Sequence, residues 1–247
     1  MYKNLQLTER ERLVLSLLLE NKVMTRKQIV DSVFPKLDSG NVTHRLTRLL
    51  ELGYLADFQD RRFDRKAILY ELTHEGVQLA KSFYEMEFDQ QPSRSYAYKH
   101  DLGLVDLRKL FQSKFSVQRY IPENILQCCP SIKENDKFKS FSEMMSDAVI
   151  VVNLQDKFKI GALEYEPSVK KMERYRDKVL NYYVKSDISF IIYVCSNLST
   201  MEVIQNIENE IKPNGATKMY FALYEDVLKS TDKLTFIGRN KSLLEIT

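Results

Sequence analysis

The residues best suited to chemistry lie between positions 147 and 171. Asp147 precedes an apolar run, Glu164 and Glu166 end the next one with a single residue between them, and Lys170 and Lys171 follow in "KIGALEYEPSVKKMERY". Carboxylates hold Mg²⁺ or Mn²⁺ for phosphodiester hydrolysis when they converge on an octahedral ion that keeps several waters, with a lysine near the attacking water. Alternate residues of a strand share a face, so Glu164 and Glu166 should point one way and Tyr165 the other. Two neighbouring carboxylates repel, and one is expected to protonate, to bind a metal or to pair with a base. Two arrangements meet that requirement. In the first, the carboxylates bind a metal ion and a neighbouring lysine supports the nucleophile. In the second, Glu164 and Glu166 form a structural pair with Lys170, Arg119 or Arg174. No other cofactor is expected.

The elements that must position these residues start near residue 100. "DLGLVDLRKLFQSKF" carries Leu102, Val105, Leu107 and Leu110 at broadly helical spacing, and "VQRYIPE" reads as a short strand stopped by Pro122. "DAVIVVNL" and "FKIGALEYE" predict an antiparallel hairpin around the polar turn "QDK". "VKKMERYRDKVLNYYVK" then reads as a helix, "ISFIIYVCS" as a buried strand, "TMEVIQNIENEI" as a helix opening at Thr200, and "KMYFALYE" as a strand. The expected order is αβββαβαβ. Tyr165, Tyr175, Tyr182 and Tyr183 fall at core or interface spacing, since a phenol buries well once its hydroxyl finds a partner.

The first ninety residues follow another pattern. Thr8 with Glu11 three positions on is the signature of a helix start in which each side chain satisfies the other's backbone N–H, and Leu13 and Leu17 then recur at helical spacing. "TRKQIVDSVF" repeats this with Thr25 as cap, Ile29, Val30 and Val33 as apolar face, and Pro35 closing it. In "LDSGNVTHRLTRLLELGYL" the apolar Val42, Leu46, Leu49 and Leu50 share a face and Gly53 stops the helix. Asn41, Thr43, His44, Thr47 and Arg48 then lie outward or at the margin, with Arg45 nearby. Strands over 54–59 and 67–72 follow, and Arg61, Arg62, Arg65 and Lys66 crowd the tip between them, among acidic residues 57, 60 and 64. A helix exposing short polar and basic side chains, beside a basic hairpin, suits double-stranded DNA: Asn41, Thr43 and His44 toward base edges, and Arg45, Arg48, Arg61, Arg62, Arg65 and Lys66 toward phosphates. His74 is expected at the cap of the next helix, in "LTHEGVQLA".

With 247 residues the chain has room for two domains, and "EFDQQPSRSYAYKHD", polar and interrupted by Pro92, is the expected linker. The expected domains are 1–91 and 92–247. A net charge of +3 assigns nucleic-acid binding to local placement rather than to the field of the whole molecule. Cys128, Cys129 and Cys195 show no zinc spacing and read as reduced thiols, Cys195 as a small core residue. With 29% charged residues, no long apolar run and no basic-then-apolar leader, the chain is expected to be cytoplasmic, with no membrane contact.

Helix, helix, helix and basic hairpin, with "LTHEGVQLA" after it, resembles the winged helix-turn-helix over residues 5–88. The second half, over 100–224, resembles the PD-(D/E)XK nuclease fold, so the expected fold class is α+β: a winged helix-turn-helix followed by an α/β domain on a central mixed sheet. Together they resemble the replication-relaxation family of plasmids and other mobile elements. Members show "PE" at the first strand, "PDA" before the second and an acidic-x-acidic end to the third. This chain has Pro122 and Glu123, then "SDA" at 146–148 with Ser146 where proline is usual, then Glu164 and Glu166. In nucleases of this kind the position of Glu166 is ordinarily a lysine. The resemblance implies a regulator of transcription or replication that binds double-stranded DNA, as a homodimer, with a non-catalytic nuclease-like domain serving dimerisation or partner contacts. The alternative it implies is a Mg²⁺- or Mn²⁺-dependent DNA endonuclease or nickase, with Asp147 and Glu164 as metal ligands, Glu166 as a further ligand and Lys170 or Lys171 supporting the nucleophile.

Overall fold

The computed structural model describes residues 7–35, 39–60, 67–154 and 156–247, Ser39 by its backbone alone. It divides into two compact units: the described residues of Met1–Val105 with Cys128–Ser131, and Asp106–Gln127 with Ile132–Thr247.

The first unit opens with α1 (Glu9–Asn21), β1 (Val23–Thr25), α2 (Arg26–Val33) and α3 (Ser39–Glu51), then β2 (Leu55–Phe58), β3 (Leu69–Leu72) and α4 (His74–Lys81). Capping boxes start α1 at Thr8 and Glu11 and α2 at Thr25 and Gln28. The buried stripe of α1 is Glu11, Val14, Leu15, Leu18 and Leu19, whereas Leu13 is 44% exposed. The apolar face therefore lies one residue on from the Leu13–Leu17 line expected. These side chains pack with Met24, Ile29, Val33, Phe34, Val42, Leu46 and Leu49 into one core. Gly53, at φ +74°, ends α3 in the left-handed conformation that glycine adopts without a Cβ penalty. The strands form an antiparallel sheet in the order β1-β3-β2. β1 has no signature in the sequence because three residues carry no period. The cap of α4 is Thr73, whose hydroxyl accepts from the Gly76 N–H at 3.0 Å, rather than His74, which lies exposed in the first turn.

α5 (Tyr98–Gln112) spans the division between the units. The second unit continues with β4 (Val117–Pro122), the short helices α6 (Glu123–Cys128), α7 (Pro130–Lys133) and α8 (Lys139–Glu143), and the hairpin β5 (Ala148–Leu154) and β6 (Lys157–Glu166). α9 (Met172–Val184), β7 (Phe190–Cys195), α10 (Leu198–Ile211), β8 (Met219–Leu223), α11 (Tyr224–Lys229), β9 (Leu234–Gly238), a 3₁₀ turn and β10 (Leu243–Ile246) complete it. The seven strands form one mixed sheet in the order β10-β9-β8-β7-β6-β5-β4. β6, β7 and β8 are parallel at its centre, as the helical crossovers α9 and α10 require, and the flanks are antiparallel. α10 begins at Leu198 on an Asn197 cap, so its start lies two residues before the Thr200 expected. The sheet curls: Ser116, just before β4, donates from N–H and hydroxyl to the Thr247 carbonyl after β10, at 2.9 and 2.7 Å. Cys195 is buried on β7, and the three cysteines are free thiols. No described helix is long and apolar enough to cross a membrane.

Candidate functional site

In the first unit α3 turns Val42, Leu46 and Leu49 into the core and leaves Asn41, Thr43, His44 and Thr47 exposed. Thr43 accepts from the Arg26 guanidinium at 2.8 Å, which links α3 to the start of α2. The two arginines of α3 lean back toward the start of α1. Arg45 donates to the Thr8 hydroxyl at 3.1 Å, and Arg48 places one nitrogen 2.9 and 3.0 Å from the two carboxylate oxygens of Glu11. Glu11 is fully buried. Burial pushes its carboxyl up, but the Thr8 N–H and hydroxyl and the Arg48 guanidinium outweigh it and hold the group below its ordinary value. Arg45 and Arg48 thus anchor the helix while still offering part of their surface. Arg61, Arg62, Arg65 and Lys66 lie outside the described residues.

In the second unit the strand register brings the carboxylates together. Asp147 directly precedes β5, whose first residue, Ala148, pairs with Leu163, one before Glu164. The Asp147 carboxylate accepts the Tyr165 N–H at 2.7 Å. Glu164 and Glu166 share the face of β6 that meets α9, as alternation predicts, and are 1% and 2% exposed. Tyr165 faces the other way, its ring 4.9 Å from that of Tyr224. Glu164 has a donor on each oxygen: Lys178 Nζ on Oε2 and the Tyr182 hydroxyl on Oε1. With the Tyr182 proton so committed, Ser146 Oγ donates to Tyr182 at 2.8 Å and ends a buried chain. Glu166 faces Lys170, whose ammonium lies 2.9 Å from Oε1 and 2.8 Å from Oε2. Burial, reinforced by the charge of Asp147, pushes Glu164 up to about 7 against the pull of Lys178.

Of the expected residues, Asp147, Glu164, Glu166 and Lys170 meet here. Lys171 stands at the residue before α9, makes no side-chain cap bond and is exposed, and Arg119 lies over the Phe138 ring at 5.6 Å. Lys178 was not read from the sequence, and Tyr182 was read there as a core or interface residue only. The signal was present: Tyr175, Lys178, Val179 and Tyr182 recur at three, one and three residues, which puts a lysine on the buried stripe of α9. A divalent ion needs free carboxylate oxygens converging on it. Here both Glu164 oxygens and one of Asp147 already accept protons from the chain, and Lys170 faces both oxygens of Glu166. Among the described residues, no group of three or more His, Cys, Asp and Glu side chains is arranged to hold a metal ion. The donor set does not fit the Mg²⁺ or Mn²⁺ that the nuclease resemblance implies.

The molecule is thus a winged helix-turn-helix followed by a unit built on a mixed seven-stranded sheet. The family model described as Replication-relaxation matches residues 15–184, and the chain belongs to that family. No curated protein matches the sequence. Among solved structures, the zinc-responsive MarR family member ZitR of Lactococcus lactis is 25% identical, with 33% of this chain and 54% of that one covered at a TM-score of 0.29. A mutant MarR from E. coli complexed with operator DNA is 21% identical, covering 31% and 53% at 0.28. The adhesin competence repressor of Streptococcus pyogenes is 21% identical, covering 44% and 69% at 0.28. The chain spans about half the length of the first two of these structures.

Proposed function

We propose that this chain binds double-stranded DNA through the exposed face of α3 and the 61–66 segment, and that it regulates transcription or replication in a plasmid or other mobile element. The observation that carries this reading is the division of α3, with Val42, Leu46 and Leu49 held in the core while Asn41, Thr43, His44 and Thr47 face outward. That division holds the helix rigidly and offers short polar groups to base edges, which a major-groove reader requires. Membership of the Replication-relaxation family supports the replication setting. On this reading the protein is a cytoplasmic homodimer, since a two-fold arrangement lets two small reading units engage one site. The second unit contributes dimer or partner contacts and no hydrolysis.

The test is a duplex titration at two salt concentrations with DNA from the element that encodes the protein. Removing Arg61 and Arg62 should weaken binding of any duplex and reduce the salt slope by about 1 for each phosphate that is no longer neutralised. Removing Asn41 should cost affinity for the preferred sequence alone. Unchanged affinity and slope in both variants would overturn the assignment. Incubation of supercoiled plasmid with Mg²⁺ or Mn²⁺, beside an Asp147→Ala control, separates a regulator from a nuclease.

A further inference from the structure

The second unit sets Glu164 and Glu166 on one face of β6, with Asp147 at the end of the neighbouring β5, and α9 supplies a cation from within the chain. Lys178 leaves the middle of α9 pointing at β6, and its Nζ closes on Glu164 Oε2. Burial works against its charge, but Glu164, Asp147 and Glu166 all favour that charge and together raise its proton affinity. The ammonium thus pairs directly with Glu164, and the charges of Asp147 and Glu166 act on it in the same sense. Tyr182, one turn further along the same face of α9, takes the remaining oxygen of Glu164, and Ser146 completes the chain from the residue before Asp147. That serine stands where the resemblance leads one to expect proline, which could not donate this bond. The Glu164 carboxylate is 1% exposed, and Tyr182 and Ser146 are fully buried.

We propose that Lys178 stands at the cation position of a nuclease-like sheet, so that the Asp147–Glu164–Glu166 cluster is a lysine-neutralised lock that pins α9 to β6 and is closed to divalent ions. This rests on the resemblance of the second unit to the nuclease fold, and not on DNA binding by the first. The physical logic is substitution of one counter-charge for another. A carboxylate cluster of this density must be neutralised, and an ammonium carried on a helix does so from within the chain, on the Glu164 oxygen that an ion would otherwise need. Lys170 provides the same service to Glu166 at the mouth of the cluster, where it is partly exposed.

The experiment compares melting of the full chain in chelator with melting in millimolar Mn²⁺ or Mg²⁺. The wild-type midpoint should be the same in both. Lys178→Ala should melt lower in chelator and regain several degrees in Mn²⁺, because Glu164 Oε2 then lacks its counter-charge and the ion supplies one. Adding Glu164→Gln to that variant should abolish the response. If Lys178→Ala does not fold in chelator, refolding it with and without Mn²⁺ gives the same answer: recovery in the metal alone supports the proposal, and no recovery overturns it. The proposal is also overturned if the wild-type protein is itself stabilised by either ion and Asp147→Ala removes that response, if folded Lys178→Ala shows no metal response, or if plasmid is cleaved with a requirement for Asp147. A failure of duplex binding would count against the proposed regulator and leave these melts unaffected.

Discussion

Lys178 and Glu164 form an ion pair between a helix and a central strand in which the carboxylate is enclosed by the protein and both of its oxygens have a donor. Such pairs add little net stability compared with apolar side chains of the same volume, because both ions lose their hydration. Breaking one side is another matter, since the carboxyl must then either stay charged without its partner or take up a proton. Lys178→Met should therefore destabilise the second unit by about 3–5 kcal/mol. Lys178→Met with Glu164→Gln should recover most of that loss, because the amide keeps an acceptor for Tyr182 and carries no charge. Urea unfolding of the two variants beside wild type measures the difference.

Glu11 imposes a pH dependence on the first unit. Its carboxyl is driven up by burial and, more strongly, down by Thr8 and Arg48, so it titrates in the folded protein below the ordinary value of 4.5. A depressed acid contributes stability that is complete above its unfolded value and is lost as pH falls through the folded one. Acid unfolding should accordingly steepen below about 4.5, and Glu11→Gln should flatten that limb while lowering stability at neutral pH. Thr8→Ala removes one partner and a helix cap, and should cost about 1 kcal/mol. Denaturant midpoints across the acid range check all three outcomes.

Gly76 lies in the first turn of α4 against the chain that leaves α3. A Cβ built there would lie 2.0 Å from the Tyr54 carbonyl oxygen, a backbone atom that also accepts the Thr73 N–H at 3.1 Å. Neither the carbonyl nor the helix start can yield without losing that bond. Gly76→Ala should cost about 1–3 kcal/mol or more by overpacking and should lower the melting midpoint of the first unit.

The pattern of apolar residues carried most of this fold because helices and strands bury one face each, and that periodicity survives in a single chain. It revealed α3, the β5–β6 hairpin and the alternation that sets Glu164 and Glu166 beside each other. β1 and the short helices α6, α7 and α8 escaped it, being too short to complete a period. The carboxylates of the second unit were legible as a group because strand register fixes them, whereas their counter-ion was not. Lys170 and Lys171 are near in sequence, and Lys178 is near in space, brought there by two turns of helix. The same limit applied to Arg48, whose partner Glu11 lies on another helix.

That last pair separates two roles on one helix. Arg48 and His44 are one turn apart on α3, yet Arg48 neutralises the buried Glu11 while His44 is exposed. Arg48→Ala leaves a buried carboxylate without its guanidinium and should lower the stability of the first unit by about 1–3 kcal/mol, weakening duplex binding as a consequence. His44→Ala should leave the melting midpoint within about 0.5 kcal/mol of wild type, as surface changes do, and still weaken binding to the preferred duplex. Melting curves and duplex titrations on both variants distinguish these effects. Equal loss of stability in the two would mean that His44 also packs, and unaltered binding by folded His44→Ala would remove that side chain from the reading surface.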